Sequence, residues 1–280
     1  MRLISWNLNS RQRDLENQVA ALMALKPDVV ALQEVTPTTI FALRTMLANA
    51  GLRHVADSFS LAGSRSELTG RRRYGQLTAS HCQLVPEPPG RFTVPWPERM
   101  LSVTLLTLAG RVEIHNTHVP PGSSNKWIKI DHLDGLYAGL ACPEERPRIL
   151  CGDFNTPREE LSTGEVVTWG QRPGLNGWRI VRTIHGRAGS DWDRGERQVL
   201  TGLAKWGLPD VYRQLHGYGR VDASWVCRQS KSWFERRFDH VFASPVLRAE
   251  QCRYLHELRE RGLSDHSPIE VVFCWPSCAA

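Results

Sequence analysis

No stretch of this 280-residue chain stays apolar for the ~18 residues a bilayer crossing needs, which excludes a membrane-spanning reading. Met1-Arg2-Leu3-Ile4 runs directly into a strand pattern, without the features of a cleavable secretory leader. The seven cysteines, at positions 82, 142, 151, 227, 252, 274 and 278, lack the paired spacing of zinc or redox sites. Cys274-Trp275-Pro276-Ser277-Cys278 is too wide for a CxxC pair. The odd count and apolar settings predict reduced, mostly buried thiols in a cytosolic protein with no membrane partner. No repeat, linker or low-complexity tract divides the chain, so residues 1–280 are expected to form one domain. A strong charge excess is also missing. The balance of 35 basic to 29 acidic residues gives +6 and a pI near 9.1, compatible with a polyanionic partner but not demanding one. Arg71-Arg72-Arg73 is the densest basic cluster and reads equally as a solvated loop or a phosphate contact. Ten tryptophans are many for this length; most are expected in the core, Trp225 among them, with a few left to stack on bases.

What the chain does contain is a repeated grammar. Ile149-Leu150-Cys151 leads into Gly152-Asp153-Phe154-Asn155 and is closed by Thr156-Pro157, the pattern of a buried strand ending on a carboxylate and an amide. Leu3-Ile4-Ser5-Trp6 similarly leads into Asn7-Leu8-Asn9, and Val29-Val30-Ala31-Leu32 into Gln33-Glu34. Val112 to Thr117 leads into His118, and Ser264-Asp265-His266-Ser267-Pro268 precedes the strand-like Ile269 to Phe273. Polar side chains at strand ends are where α/β proteins keep their chemistry. Their recurrence argues for one shared site.

Helical spacing in Leu15, Val19, Leu22 and Leu25, with Ser10 as N-cap, predicts a first helix, and Pro37 to Gly51 a second. Strands are expected over 52–59, 75–80, 100–108 and 111–117, the last two joined as a hairpin through Ala109-Gly110. Asn125 to Leu140 reads as a helix, residues 158–194 as a long, partly ordered, substrate-facing insertion, and Gly195 to Trp206 as another helix. Strands near 222–228, 238–243 and 269–274 complete the pattern. The expected fold class is α/β (α+β), with two packed, mostly antiparallel sheets and helices outside.

The strand-end residues are Asn7, Asn9, Glu34, His118, Asp153, Asn155, Asp239, Asp265 and His266. Hard carboxylate and amide oxygens without cysteine suit Mg²⁺ or Mn²⁺ better than zinc. Phosphodiester hydrolysis needs a polarised water, charge stabilisation at phosphorus and help for the leaving oxygen, all of which acids, amides and imidazoles supply.

Ser5-Trp6-Asn7, Leu32-Gln33-Glu34, Gly152-Asp153-Phe154-Asn155 and Ser264 to Pro268, in that order, resemble the endonuclease/exonuclease/phosphatase superfamily. Gly195-Glu196-Arg197, Lys205 to Arg213, Ala223-Ser224-Trp225 and Arg237 to Ser244 are more specifically similar to the exonuclease III-like abasic-site endonucleases. The resemblance spans nearly the whole chain, least clearly residues 52–99 and 158–194. It implies a four-layer sandwich and a monomeric, Mg²⁺- or Mn²⁺-dependent phosphodiesterase acting on DNA, as an endonuclease or a 3′-exonuclease. By motif, Glu34 would bind the metal, with Asp265 as a second ligand, Asn9 at the position of a further acid, and Asn7 assisting. Asp153 would orient or deprotonate the attacking water, Asn155 would hold water and phosphate, and His266, oriented by Asp239, would contact the phosphate. Whether Asp153 or His266 is the base stays open.

Three positions depart from that pattern. Asn9 stands where the abasic endonucleases carry an acid, and His118 where they carry Tyr, although His is common there elsewhere in the superfamily. Arg236 replaces an apolar side chain of the abasic-sugar pocket. These changes keep two alternatives in view: a phosphatase or phosphodiesterase for RNA, a lipid head group or a small phosphoester, and a catalytically silent nucleic-acid-binding module.

Overall fold

Leu3 and Ile4 are both fully buried, yet they face different cores, and that division organises the molecule. In an extended strand successive side chains point to opposite faces. Leu3 therefore packs with Val29, Val103, Ile114 and Ile149, whereas Ile4 and Trp6 pack with Leu15, Val19 and Leu22 of a helix. The computed structural model describes residues 1–88, 90–229 and 232–276.

One sheet has six strands in the order Ala249–Tyr254, Ile269–Phe273, Arg2–Asn7, Val29–Val35, Gly75–Ser80 and His54–Asp57. The other has five: Asp239–Ala243, Arg148–Asp153, Gly110–His118, Met100–Thr107 and Leu84–Pro86. Neighbours run antiparallel except for one pair in each sheet, Arg2–Asn7 with Val29–Val35 and Gly110–His118 with Arg148–Asp153. A parallel pair needs a crossover, and the helices Leu15–Ala24 and Ile128–Leu140 supply the two.

The sheets pack face to face through one core, and each carries helices on its outer face through a second: Leu43 and Leu47 on one side, Leu133, Leu136, Val199 and Leu203 on the other. The four layers are helix, sheet, sheet, helix, matching the fold class expected from the patterning. At the site end of the inter-sheet core, apolar packing gives way to an amide contact. Gln33 Nε2 donates to Asn116 Oδ1 across the sheets at 2.7 Å, and the Asn116 amide donates to the Leu77 and Leu32 carbonyls. Buried polar groups are tolerated when paired in this way.

Several local expectations shift. The first helix starts at Leu15 without Ser10 as its cap, because Asn9 and Ser10 have φ of 52° and 45° and lead into a single 3₁₀ turn. The 158–194 insertion is ordered into three short ribbons: Glu159–Glu160 with Val166–Val167, Gln171–Gly174 with Gly177–Ile180, and Thr183–Ile184 with Arg187–Ala188. The next helix begins earlier than its spacing suggests, at Gly189–Leu200, and a 3₁₀ segment, Gly202–Trp206, follows. Cys142, Cys151, Cys227, Cys252 and Cys274 are free thiols, but Cys82 is disulfide-bonded, which corrects the expectation of reduced thiols throughout. Cys278 lies outside the described residues. Among the described residues, no helix is long and apolar enough to cross a membrane.

Candidate active site

The carboxyl ends of both parallel pairs open into one cleft of about 740 Å³. Glu34 comes from the six-stranded sheet, where the ladder to Gly75–Ser80 slips between Leu32 and Val35. That bulge puts Glu34 at φ 55°, a conformation few non-glycine residues adopt, and turns its carboxylate into the cleft. His118 and Asp153 end the facing parallel pair, in register with one another. Gly152 precedes Asp153 at φ 137°, and a β-carbon there would lie 1.8 Å from the Thr117 carbonyl oxygen. Only glycine fits this close approach, which explains the first letter of Gly152-Asp153-Phe154-Asn155.

Asn7 links the two sheets at the site. Its Nδ2 donates to Asp153 Oδ2 at 3.0 Å and to Glu34 Oε1 at 3.3 Å, while its Oδ1 accepts from the Asn9 backbone N–H. Asn9 thus orients Asn7 through its backbone, and its side chain is not part of the cleft lining. Asn155, at φ 51°, donates its backbone N–H to Asp153 Oδ1 and its side-chain amide to the Val119 carbonyl and Asp153 Oδ2. His266 Nδ1 lies 2.7 Å from Asp239 Oδ2, and its Nε2 lies 3.8 Å from Asp153 Oδ2. Asp239 pairs in register with Asp153, so adjacent strands deliver both acids to one end of the sheet. Trp225 Nε1 donates to Asp265 Oδ2 at 3.2 Å; this half-buried indole lines the cleft rather than the core.

The charges are unevenly compensated. Burial pushes the Glu34 carboxyl above its usual range, opposed by Arg99 and His266, while Asp265 adds to the upward push. Burial also raises Asp153, against the pull of His266. Burial alone would lower His266, but Asp239 and then Asp153 outweigh it and hold the imidazole above its ordinary value. His118 is pushed well below its ordinary value by burial, then by Arg99 and His266.

A divalent cation fits this donor set. Asp239 Oδ1 and Asp265 Oδ1 are buried carboxylate oxygens with no hydrogen-bond partner among the described residues. Asp153, Asp239 and His266 also each offer one potential ligand atom within 4.8 Å of the others. Crowded, underpaired carboxylates in a low-dielectric cleft are what a hard cation relieves.

Sequence patterns missed several residues that build the site. Arg99, 2% exposed, places Nη1 2.5 Å from His118 Nδ1 and donates Nη2 to the Arg71 carbonyl. Lys129, 1% exposed, pairs with Glu196 at 2.6 Å and donates to the Asn155 carbonyl, bracing the turn that carries Asn155. Glu196 also accepts from the Thr156 hydroxyl and the Trp169 backbone N–H. Arg158, Trp169 and His185 reach the cleft from the 158–194 insertion. Arg99 and Lys129 sit outside any polar strand-end motif; only a basic residue inside an apolar helical face at 129 could have drawn attention to itself.

The fold is shared with solved structures of low sequence identity. An AP endonuclease from Archaeoglobus fulgidus matches with a TM-score of 0.69 at 22% identity, over 98% of this chain and 100% of that one. A 3′-5′ exonuclease from Neisseria meningitidis matches at 0.63 and 21% identity, over 98% and 100%. The Xenopus laevis APE2 catalytic domain matches at 0.66 and 18% identity, over 100% and 94%. No curated protein sequence matches the chain. The model of the Endonuclease/Exonuclease/phosphatase family matches residues 4–266, a span that holds every strand-end residue from Asn7 to His266. The chain belongs to the endonuclease/exonuclease/phosphatase family, whose members are phosphoester hydrolases.

Proposed function

We propose that this protein is a divalent-metal-dependent phosphodiesterase that cleaves DNA, as an endonuclease or a 3′-exonuclease. The observation that carries the reading is the convergence of Asp153, Asn155, His118 and the Asp239–His266 pair on the cleft that also holds Glu34 and Asp265. Glu34 and Asp265 would hold Mg²⁺ or Mn²⁺, which supplies charge to a phosphate oxygen and lowers the cost of bringing an anion into this acidic cleft. Asp153 is the residue best placed to orient and deprotonate water, because both its oxygens are held by the amides of Asn7 and Asn155. His266, with Nδ1 on Asp239 and carboxylates on two sides, is arranged to stay cationic and stabilise charge at phosphorus. The Asn155 amide and His118 Nε2–H are donors for the remaining phosphate oxygens.

DNA is favoured as substrate by two kinds of support. One is the basic and aromatic cleft wall formed by Arg158, Arg236, Trp169 and Trp225. The other is the set of similar structures, which includes D. rerio TDP2 complexed with single strand DNA product and a Neisseria 3′ phosphatase bound to product DNA hairpin. The test is a panel of labelled duplex, single-stranded, abasic and RNA oligonucleotides, with a generic phosphomonoester, assayed with Mg²⁺ and Mn²⁺. DNA should be cleaved, chelation should abolish the activity, and Asp153→Asn should lower kcat about 10²–10⁴-fold. Cleavage undiminished in Asp153→Asn, or turnover confined to the phosphomonoester, would overturn the reading.

A further inference from the structure

The wall of the same cleft carries two guanidiniums, Arg158 and Arg236. Among the described residues, neither forms an ion pair with a carboxylate. Arg158 donates Nη1 to the Gln171 carbonyl, and Arg236 donates Nη1 to the carbonyl of its neighbour Glu235. Arg236 Nε is buried and has no hydrogen-bond partner among the described residues. Both side chains are half-buried, and both lie against the same indole: Arg158 is 5.5 Å and Arg236 5.8 Å from the Trp169 ring centre. The Trp178 ring centre lies 5.1 Å from the Arg158 guanidinium as well. The two cations are close enough that Arg158, after burial, helps lower the Arg236 pKa against the pull of Glu159. Stacking on an aromatic face fixes a guanidinium's plane while leaving its edge donors unused.

Two like charges, partly desolvated and offset only by the exposed Glu159, which acts on Arg236 without forming an ion pair among the described residues, form a site that an anion would complete. Beside them, Trp225 stacks on Phe238 at 5.3 Å and 28°, giving the cleft a flat apolar wall. We propose that Arg158 and Arg236 form a second phosphate subsite, which takes a phosphate flanking the scissile one while its nucleoside lies along the Trp169 and Trp225 side of the cleft. This rests on the reading of the cleft as a phosphodiester site and narrows its substrate to a nucleotide chain bearing a phosphate next to the bond that breaks. A guanidinium in the cleft wall suits a charged nucleotide unit better than a bare sugar.

The test is a binding experiment, independent of turnover. Dithymidylates linked by a phosphorothioate, with a terminal 5′-phosphate, with a terminal 3′-phosphate or with neither, are titrated into the full-length protein with Mg²⁺ present, and tryptophan fluorescence is read. One of the two terminally phosphorylated probes should bind about tenfold tighter than the unphosphorylated one. Arg158→Met and Arg236→Met keep the aliphatic stem and remove the charge, and each should reduce that advantage to less than about threefold, whereas Arg236→Lys should retain most of it. Circular dichroism identifies any variant that fails to fold; either methionine variant alone suffices. No advantage for either terminal phosphate in the native protein, or an advantage that survives in a folded methionine variant, would overturn the subsite. Absence of metal-dependent DNA cleavage with the binding pattern intact would instead remove the proposed activity and leave the subsite standing.

Discussion

Arg99 Nη1 points at His118 Nδ1 from 2.5 Å, and both side chains are buried. A guanidinium only donates, so Nδ1 must accept and the ring proton must sit on Nε2. That nitrogen lies 3.5 Å from Asp153 Oδ2 and 3.8 Å from Glu34 Oε1, so His118 presents a donor to the cleft and stays neutral. Arg99 therefore acts on the site through His118, as a positioning residue.

Arg99→Met removes both the donor and a charge that holds the His118 pKa down. The imidazole should then titrate closer to about 6.5, and kcat should fall about 10–100-fold. A pH–kcat profile checks this: the variant gains a second acid-side inflection beside the one that Asp153 gives the parent. An unaltered profile with reduced kcat would reduce Arg99 to a packing residue.

The Asp239–His266 pair makes a separate prediction. The His266 pKa is held up by Asp239 first and Asp153 second, against burial. Asp239→Asn should bring it down, visible as a downfield-to-upfield transition of the ring proton at lower pH by NMR. The loss of a cation at the phosphate should cost about 10²-fold in kcat. A variant whose His266 titrates as in the parent would show that Asp239 does not control its charge.

Away from the chemistry, Glu160 and Asp210 share Arg237, which lies 2.6 Å from the first and 2.7 Å from the second, and Arg213 also pairs with Glu160 at 2.7 Å. All four side chains are at most 9% exposed, so Arg237→Ala would leave two carboxylates in a dry setting and should cost about 3–5 kcal/mol in a denaturant titration at neutral pH. Burial raises the Glu160 carboxyl, but Arg237 and Arg213 outweigh it and hold the pKa down to about 2, below its ordinary 4.5. A depressed carboxylate contributes stability above its unfolded pKa and loses it as pH falls through the folded one. Denaturation midpoints should therefore drop between about pH 4.5 and about pH 2 in the parent and change less over that range in Arg237→Ala.

The proposed subsite makes Arg236 a test of substrate class. Arg236→Leu makes that part of the cleft wall apolar, and the ratio of abasic-duplex to intact-strand cleavage should rise at least about fivefold. Competition between two labelled oligonucleotides in one reaction measures this ratio directly. No change would place specificity elsewhere in the cleft.

Much of this site was readable because polar residues flank short apolar runs. Asn7, Glu34, His118, Asp153 and Asn155 follow such runs, Asp239 opens one, Asp265 and His266 precede one, and the structure gathers them. Asn9 shared the signature but takes part through its backbone N–H, a contact that side-chain chemistry does not encode. Arg99 follows Trp96-Pro97-Glu98 in a segment without periodicity, and its meaning depends on a strand register with His118's neighbours. The ribbons of the 158–194 insertion are two to four residues per strand, too short to leave a periodic trace. The edge strands Leu84–Pro86 and Ala249–Tyr254 escaped notice because their outer residues face solvent and break the apolar pattern.

The amide contact from Gln33 to Asn116 sits one residue before Glu34 on one sheet and two before His118 on the other. Glu34, Asp265 and His266 belong to one half of the sandwich, and His118, Asp153, Asn155 and Asp239 to the other, so neither half would hold the whole of the proposed reaction centre. Sliding one sheet over the other by about 1 Å would be small on the scale of the core yet can cost about 10²-fold in rate. Turnover is then a gauge of sheet alignment, finer than any spectroscopic measure of folding. Substitutions deep in the shared core, such as Val103→Ala or Ile149→Ala, should silence the enzyme at temperatures where both sheets are still intact.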